Sequence, residues 1–187
     1  MLYHASKVQG LKTLTPHVST HGKSYVYAIS NKVTAVCFGA DKDDFDLLMD
    51  EVDGITHLYE CYEGAIEKIY GGKSCSLYTV SDEGFIFGAT GWEPELVCEN
   101  EVAVEKEEII SNIYGFLKKA EDSGDCVIHR YAEDAEYQKM IDEEILERIE
   151  TFDLSKEQVE KDPRLARFIA DPFRRDKQKV KAELDKQ

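Results

Sequence analysis

The chain has 187 residues, 42% of them hydrophobic and 33% charged, and its 38 Asp and Glu outweigh 23 Lys and Arg to leave a formal net charge of −15. A chain of this length buries roughly 70% of the surface its unfolded form exposes, so it needs neither a disulfide framework nor a structural metal to hold a core. No apolar run approaches the roughly 20 residues of a membrane span, and the first ten residues lack the basic flank and apolar stretch of a signal peptide, so the expected location is the cytoplasm and no membrane partner is expected.

The charge is unevenly placed. Residues 1–154 hold 13 basic and 31 acidic side chains, a balance of −18, while residues 155–187 hold 10 basic and 7 acidic, a balance of +3. A negative body repels phosphate backbones, which makes nucleic acid an unlikely partner for it. The basic run Arg164, Arg167, Arg174, Arg175, Lys177, Lys179 and Lys181 reads most simply as a solvated helix face docked on the chain's own acidic body. The five cysteines, Cys37, Cys61, Cys75, Cys98 and Cys126, are odd in number and none is two residues from another, so they read as buried thiols acting as small hydrophobes.

In chain order, Leu2 to His4 predicts a first strand and Tyr25 to Ile29, aromatic and β-branched, a second. Ser30 or Asn31 then caps a helix from Lys32 to about Ala40, with Val33, Val36 and Cys37 on one side. Between Phe45 and Phe87, glycines punctuate short strands at Phe45–Met49, which reads equally as a helical turn, His57–Tyr62, Cys75–Val80 and Phe85–Phe87, and Glu95–Val104 adds one or two more. The set Ile109, Ile110, Ile113, Phe116 and Leu117 predicts a helix over Lys106–Lys119. Cys126–Tyr131 predicts a last strand, and from Ala132 onward the chain reads as helical, with Tyr137, Met140, Ile141, Ile145 and Ile149 in one stripe and breaks at Pro163 and Pro172. The expected class is therefore α+β, with a mixed, mainly antiparallel sheet core and flanking helices over residues 1–131, then a C-terminal helical appendage over 132–187.

Conventional motifs are sparse. Tyr70-Gly71-Gly72-Lys73-Ser74 has Glu67 where a phosphate loop needs its first glycine and reads as a hairpin turn. His17 and His21 are four apart, but Gly22 disfavours the helix that would let them share a metal, so no metal site is expected.

One constellation carries more. Tyr3-His4-Ala5-Ser6 lies on the first strand, Tyr25-Val26-Tyr27-Ala28-Ile29-Ser30 on the second strand leading into a helix with Ala35 and Phe38, and Glu99-Asn100-Glu101-Val102 on a late strand. In this order of His, Tyr and Glu the sequence resembles the ADP-ribosyltransferase superfamily, over roughly residues 2–104, which marks residues 1–131 as an ADP-ribosyltransferase-like domain. The resemblance implies NAD as substrate, with His4 on a ribose hydroxyl, Tyr27 stacked on the nicotinamide and Tyr25 beside it, and Glu101 either orienting the acceptor or stabilising the cationic centre formed as the N-glycosidic bond breaks, Glu99 being its candidate acidic neighbour. The basic residues nearest this pattern are Lys7, Lys12, Lys23 and Lys32. The alternative expectation is a non-catalytic acidic interaction protein that binds a basic protein partner, for which an exposed apolar patch around Phe168 and Phe173 is the sign to look for.

Overall fold

Short apolar runs cut by glycines fold here into antiparallel strands, and the computed structural model describes them over residues 1–18 and 22–168. In chain order they are β1 (Leu2–Ser6), β2 (Thr13–Leu14), β3 (His17–Val18), β4 (Ser24–Ile29), α1 (Lys32–Val36) with a 3-10 turn at Cys37–Gly39, β5 (Leu47–Val52) and β6 (Ile55–Glu60). Next come α2 (Ala65–Tyr70), β7 (Cys75–Val80), β8 (Ile86–Phe87), β9 (Glu95–Cys98), β10 (Val102–Ala103) and β11 (Lys106–Ile110). The chain then forms α3 (Ile113–Ser123), β12 (Cys126–His129), α4 (Ala135–Thr151), α5 (Lys156–Lys161) and a 3-10 turn at Ala166–Phe168.

The main sheet runs β11-β7-β1-β4-β9-β8, with β3 also on β4, and all its pairs are antiparallel. A three-stranded sheet runs β12-β6-β5, with β12 parallel to β6, and β10 pairs with β2. The class is the α+β arrangement expected from the sequence.

Period-two burial divides the core. Val26 and Ala28 of β4 join Leu2, Tyr78, Val80 and Cys98 in one apolar cluster, while Ile29 joins Leu77, Leu58, Ile128 and residues of α1, α2 and α3 in another between the two sheets. Gly39 is required where it stands, because a Cβ there would lie 2.5 Å from Cys75 Sγ, so the turn after α1 packs directly on β7. All five cysteines are buried free thiols. A third cluster joins Ile141, Ile145 and Ile149 of α4 to Val159, Leu165, Phe168 and Cys61.

Several local expectations change. Lys106–Ile110 is strand, not the first turn and a half of a helix: it pairs with β7 from Lys106↔Thr79 to Ile110↔Cys75 and leaves Ile109 57% exposed. The helix begins only after Asn112, whose side chain accepts from the Gly115 N–H at 2.9 Å. Helix α2 fills the gap between two expected strands, where no helix was expected, and the Gly71-Gly72 turn joins it to β7 rather than closing a hairpin. The helix after β4 stays α-helical only to Val36, capped by Asn31, which accepts from Val33 and Thr34 N–H. Met140 leaves the predicted apolar stripe of α4 and is 51% exposed. Phe168 is buried rather than part of an exposed patch. Phe173, Pro172, His21 and the basic residues from Arg174 onward lie outside the described residues.

Candidate functional site

β1 and β4 are neighbours in the main sheet, yet their ladder is brief, with Tyr3↔Ile29 as its registered pair. Next to it a side chain takes over, as His4 Nδ1 lies 2.7 Å from the Tyr27 carbonyl oxygen. A carbonyl only accepts, so Nδ1 carries the proton. Burial lowers the His4 pKa, with a smaller contribution in the same direction from His17, and the bond to the Tyr27 carbonyl only partly offsets them. The ring is therefore held neutral near pH 7 as the Nδ1–H tautomer, which leaves Nε2 as an acceptor.

His4 and Tyr27 line one cleft of about 640 Å³, together with His17, Phe38, Trp92 and Glu95. The Tyr27 ring sits 5.7 Å from His17 and meets Tyr25 edge-on at 6.0 Å. Phe38 and Trp92 pack at 5.9 Å, and Lys42 Nζ stands 4.0 Å over the Phe38 ring while donating to the Cys37 carbonyl. Burial lowers the Lys42 pKa.

Each aspartate in the cleft wall has a cationic partner. Asp41 pairs with Lys7 at 2.7 Å, Asp43 with Arg164 at 2.7 Å and Asp44 with Arg148 at 3.7 Å. Arg164 also reaches Asp46 at 2.7 Å, and Arg167 reaches Asp142 at 3.0 Å. The first two members of the basic run thus dock on the chain's own acids.

The predicted residues separate into two sets. His4 and Tyr27 converge. Tyr25 is buried at 6% exposure and does not line the cleft; it supports the Tyr27 ring from the side. Glu101 is exposed in the turn between β9 and β10 rather than on a strand, and it too is absent from the cleft wall. The cleft's glutamate is Glu95, which register places opposite Ile29 on the strand beside β4. The reason is local: after Cys98 the chain turns at Glu99 and Asn100 and leaves the main sheet to pair with β2, carrying Glu101 away.

Sequence reasoning missed Glu95, Phe38, Trp92, Lys42 and Arg148 as cleft residues. Trp92 is the single tryptophan of the chain, which was its one available signal. Arg148 comes from α4, and only tertiary packing brings it near residue 44. A second cavity, of about 620 Å³, lies beside Lys32, Phe116 and Lys119, but it holds none of the predicted residues and Lys32 there is ion-paired to Glu108 at 2.9 Å. Among the described residues no helix is long and apolar enough to cross a membrane. The chain matches no family model, no curated protein and no solved structure.

Proposed function

We propose that the cleft lined by His4 and Tyr27 binds NAD or a related nucleotide and that the chain is an ADP-ribosyltransferase-like protein. The observation that carries this reading is the pairing of His4 and Tyr27: a neutral imidazole, fixed by the Tyr27 carbonyl, presents an acceptor nitrogen in the same cleft as the tyrosine ring. An acceptor of that kind suits a ribose hydroxyl, and an aromatic ring suits the flat, cationic nicotinamide.

Transfer of ADP-ribose breaks the bond between ribose C1′ and the nicotinamide nitrogen. The bonding electron pair leaves with nicotinamide, and an acceptor nucleophile bonds to C1′ and loses its proton. A carboxylate near C1′ stabilises the positive charge that develops there. With Glu101 on the surface, Glu95 is the glutamate in position to take that role. The acceptor is left open. The alternative reading, an acidic protein that binds a basic partner, draws on the net charge of −15, but three of the aspartates in the cleft wall already have cationic partners within the chain.

The test is calorimetric titration with NAD of the wild type and of Tyr27→Ala, with folding of the variant checked by circular dichroism. Trp92 fluorescence gives a second signal from the same cleft. Saturable binding that the variant loses supports the reading; absence of heat and of a fluorescence change at millimolar NAD overturns it.

A further inference from the structure

The face of the three-stranded sheet that carries His57 and Tyr59 holds a cluster that the cleft does not use. Register puts Asp50 opposite His57 on β5 and His129 opposite Tyr59 on β12, so their side chains share one face. His57 Nδ1 and His129 Nε2 stand 3.1 Å apart, and the Tyr59 hydroxyl is 3.5 Å from the same His57 nitrogen. The rings are fixed rather than loosely adjacent. Tyr59 stacks on His129 at 4.2 Å with 2° between planes, and Tyr137 from α4 stacks on His129 at 6.0 Å while donating to the Glu60 carbonyl at 2.9 Å. His57, His129 and Tyr59 are each part-exposed, so the cluster is open to solutes.

We propose that His57 and His129, with Tyr59 beside them, form a binding site for a divalent transition cation of the zinc, nickel and copper class. Two imidazole nitrogens about 2.0–2.1 Å from one such ion, at angles between about 90° and 110°, lie about 2.8–3.4 Å apart, and the observed separation of 3.1 Å falls within that span. Imidazole suits these metals, and water completes the shell. Among the described residues no three His, Cys, Asp or Glu side chains converge on one point, so the protein supplies two nitrogens rather than a closed cage. Asp50 on the neighbouring strand adds a negative charge that favours a cation.

Without metal, one ring donates its N–H to the other. When both nitrogens face the metal, the donating ring carries its proton on its other nitrogen, so binding needs no oxidant and releases no proton from the histidines. The site rests on geometry independent of the nucleotide cleft.

The experiment uses the full chain, stripped with chelator and then titrated with copper(II), nickel(II) and zinc(II) salts alone. We expect one equivalent to bind with micromolar affinity, tightest for copper, and a copper electron paramagnetic resonance spectrum with two nitrogen ligands. His57→Gln and His129→Gln each weaken binding at least tenfold, and Tyr59→Phe, which keeps the stack, weakens it by less. To guard against a variant that fails to fold, imidazole NMR of the wild type records which histidines copper broadens first. Broadening led by His57 and His129 supports the site. Broadening led by His4 or His17, tight binding retained in the His57→Gln/His129→Gln double variant, or no binding below about 1 mM overturns it.

Discussion

His4 has two separable duties, and two substitutions divide them. Its Nδ1–H satisfies the Tyr27 carbonyl beside the single registered β1–β4 pair, and its Nε2 is the acceptor that the proposed nucleotide reading uses. His4→Phe keeps the ring and removes the donor. A carbonyl that water can reach loses about 1 kcal/mol, and one left dry loses up to about 3 kcal/mol. For a chain of this size each kcal/mol lowers Tm by about 2–4 °C, so the expected fall is roughly 2–12 °C. His4→Asn places an amide N–H where Nδ1 stood, but has no atom in place of Nε2. It should recover Tm to within about 2 °C of wild type while NAD affinity falls at least tenfold, a loss of about 1.4 kcal/mol or more. Differential scanning fluorimetry and calorimetric NAD titration on the three proteins are the assays. A His4→Phe protein as stable as wild type refutes the strand-linking role, and a His4→Asn protein that binds NAD normally refutes the role of Nε2. The pH response adds a check. Burial depresses the folded His4 pKa below its usual 6.5, so the unfolded chain binds more protons below that value and stability falls as pH drops through 6.5. His4→Asn should show a shallower fall in that range.

Glu60 is buried at 6% exposure and its two oxygens accept from the Ile66 and Tyr131 N–H groups at 3.1 and 3.3 Å. Glu60→Ala leaves both donors unsatisfied and should cost about 2–5 kcal/mol in urea unfolding, with Glu60→Gln costing less; a loss under about 1 kcal/mol contradicts this. Ile145→Ala, at a position 1% exposed between α4 and Cys61, should cost about 2–5 kcal/mol by the same assay with an unchanged denaturant slope. Arg130, hydrogen-bonded to Glu121 at 2.7 Å and assisted by Lys118, pulls the Glu121 carboxyl down to about 2. Its stabilising contribution is complete above the ordinary value of 4.5 and is lost as pH falls toward 2, so Glu121→Gln should flatten the acid limb of the stability curve over that interval. Carbon NMR of the Glu121 carboxyl titrating near 4.5 in the wild type contradicts the assignment.

Features that depend on neighbours along the chain were legible in the order of residues. Strand β7 has the bounds its β-branched and aromatic run predicts, β4 begins within one residue of the predicted start, and Asn31 caps α1 as its position before an apolar face implies. The resemblance paired His4 with Tyr27, and His4 Nδ1 lies 2.7 Å from the Tyr27 carbonyl oxygen. Tertiary structure decided the rest. Lys106–Ile110 has the spacing of a helix and becomes a strand because the free edge of β7 offers it a complete ladder, a competition that local periodicity cannot register. The resemblance singles out Glu101 and passes over Glu95; only the register of β9 on β4, and the departure of the chain to β2, separates surface from cleft. His57 and His129 lie 72 positions apart, and their nitrogens come within 3.1 Å solely because β6 and β12 align in parallel. A pattern in sequence encodes which side of an element faces inward, whereas a site is built from elements whose adjacency is settled when the whole chain packs.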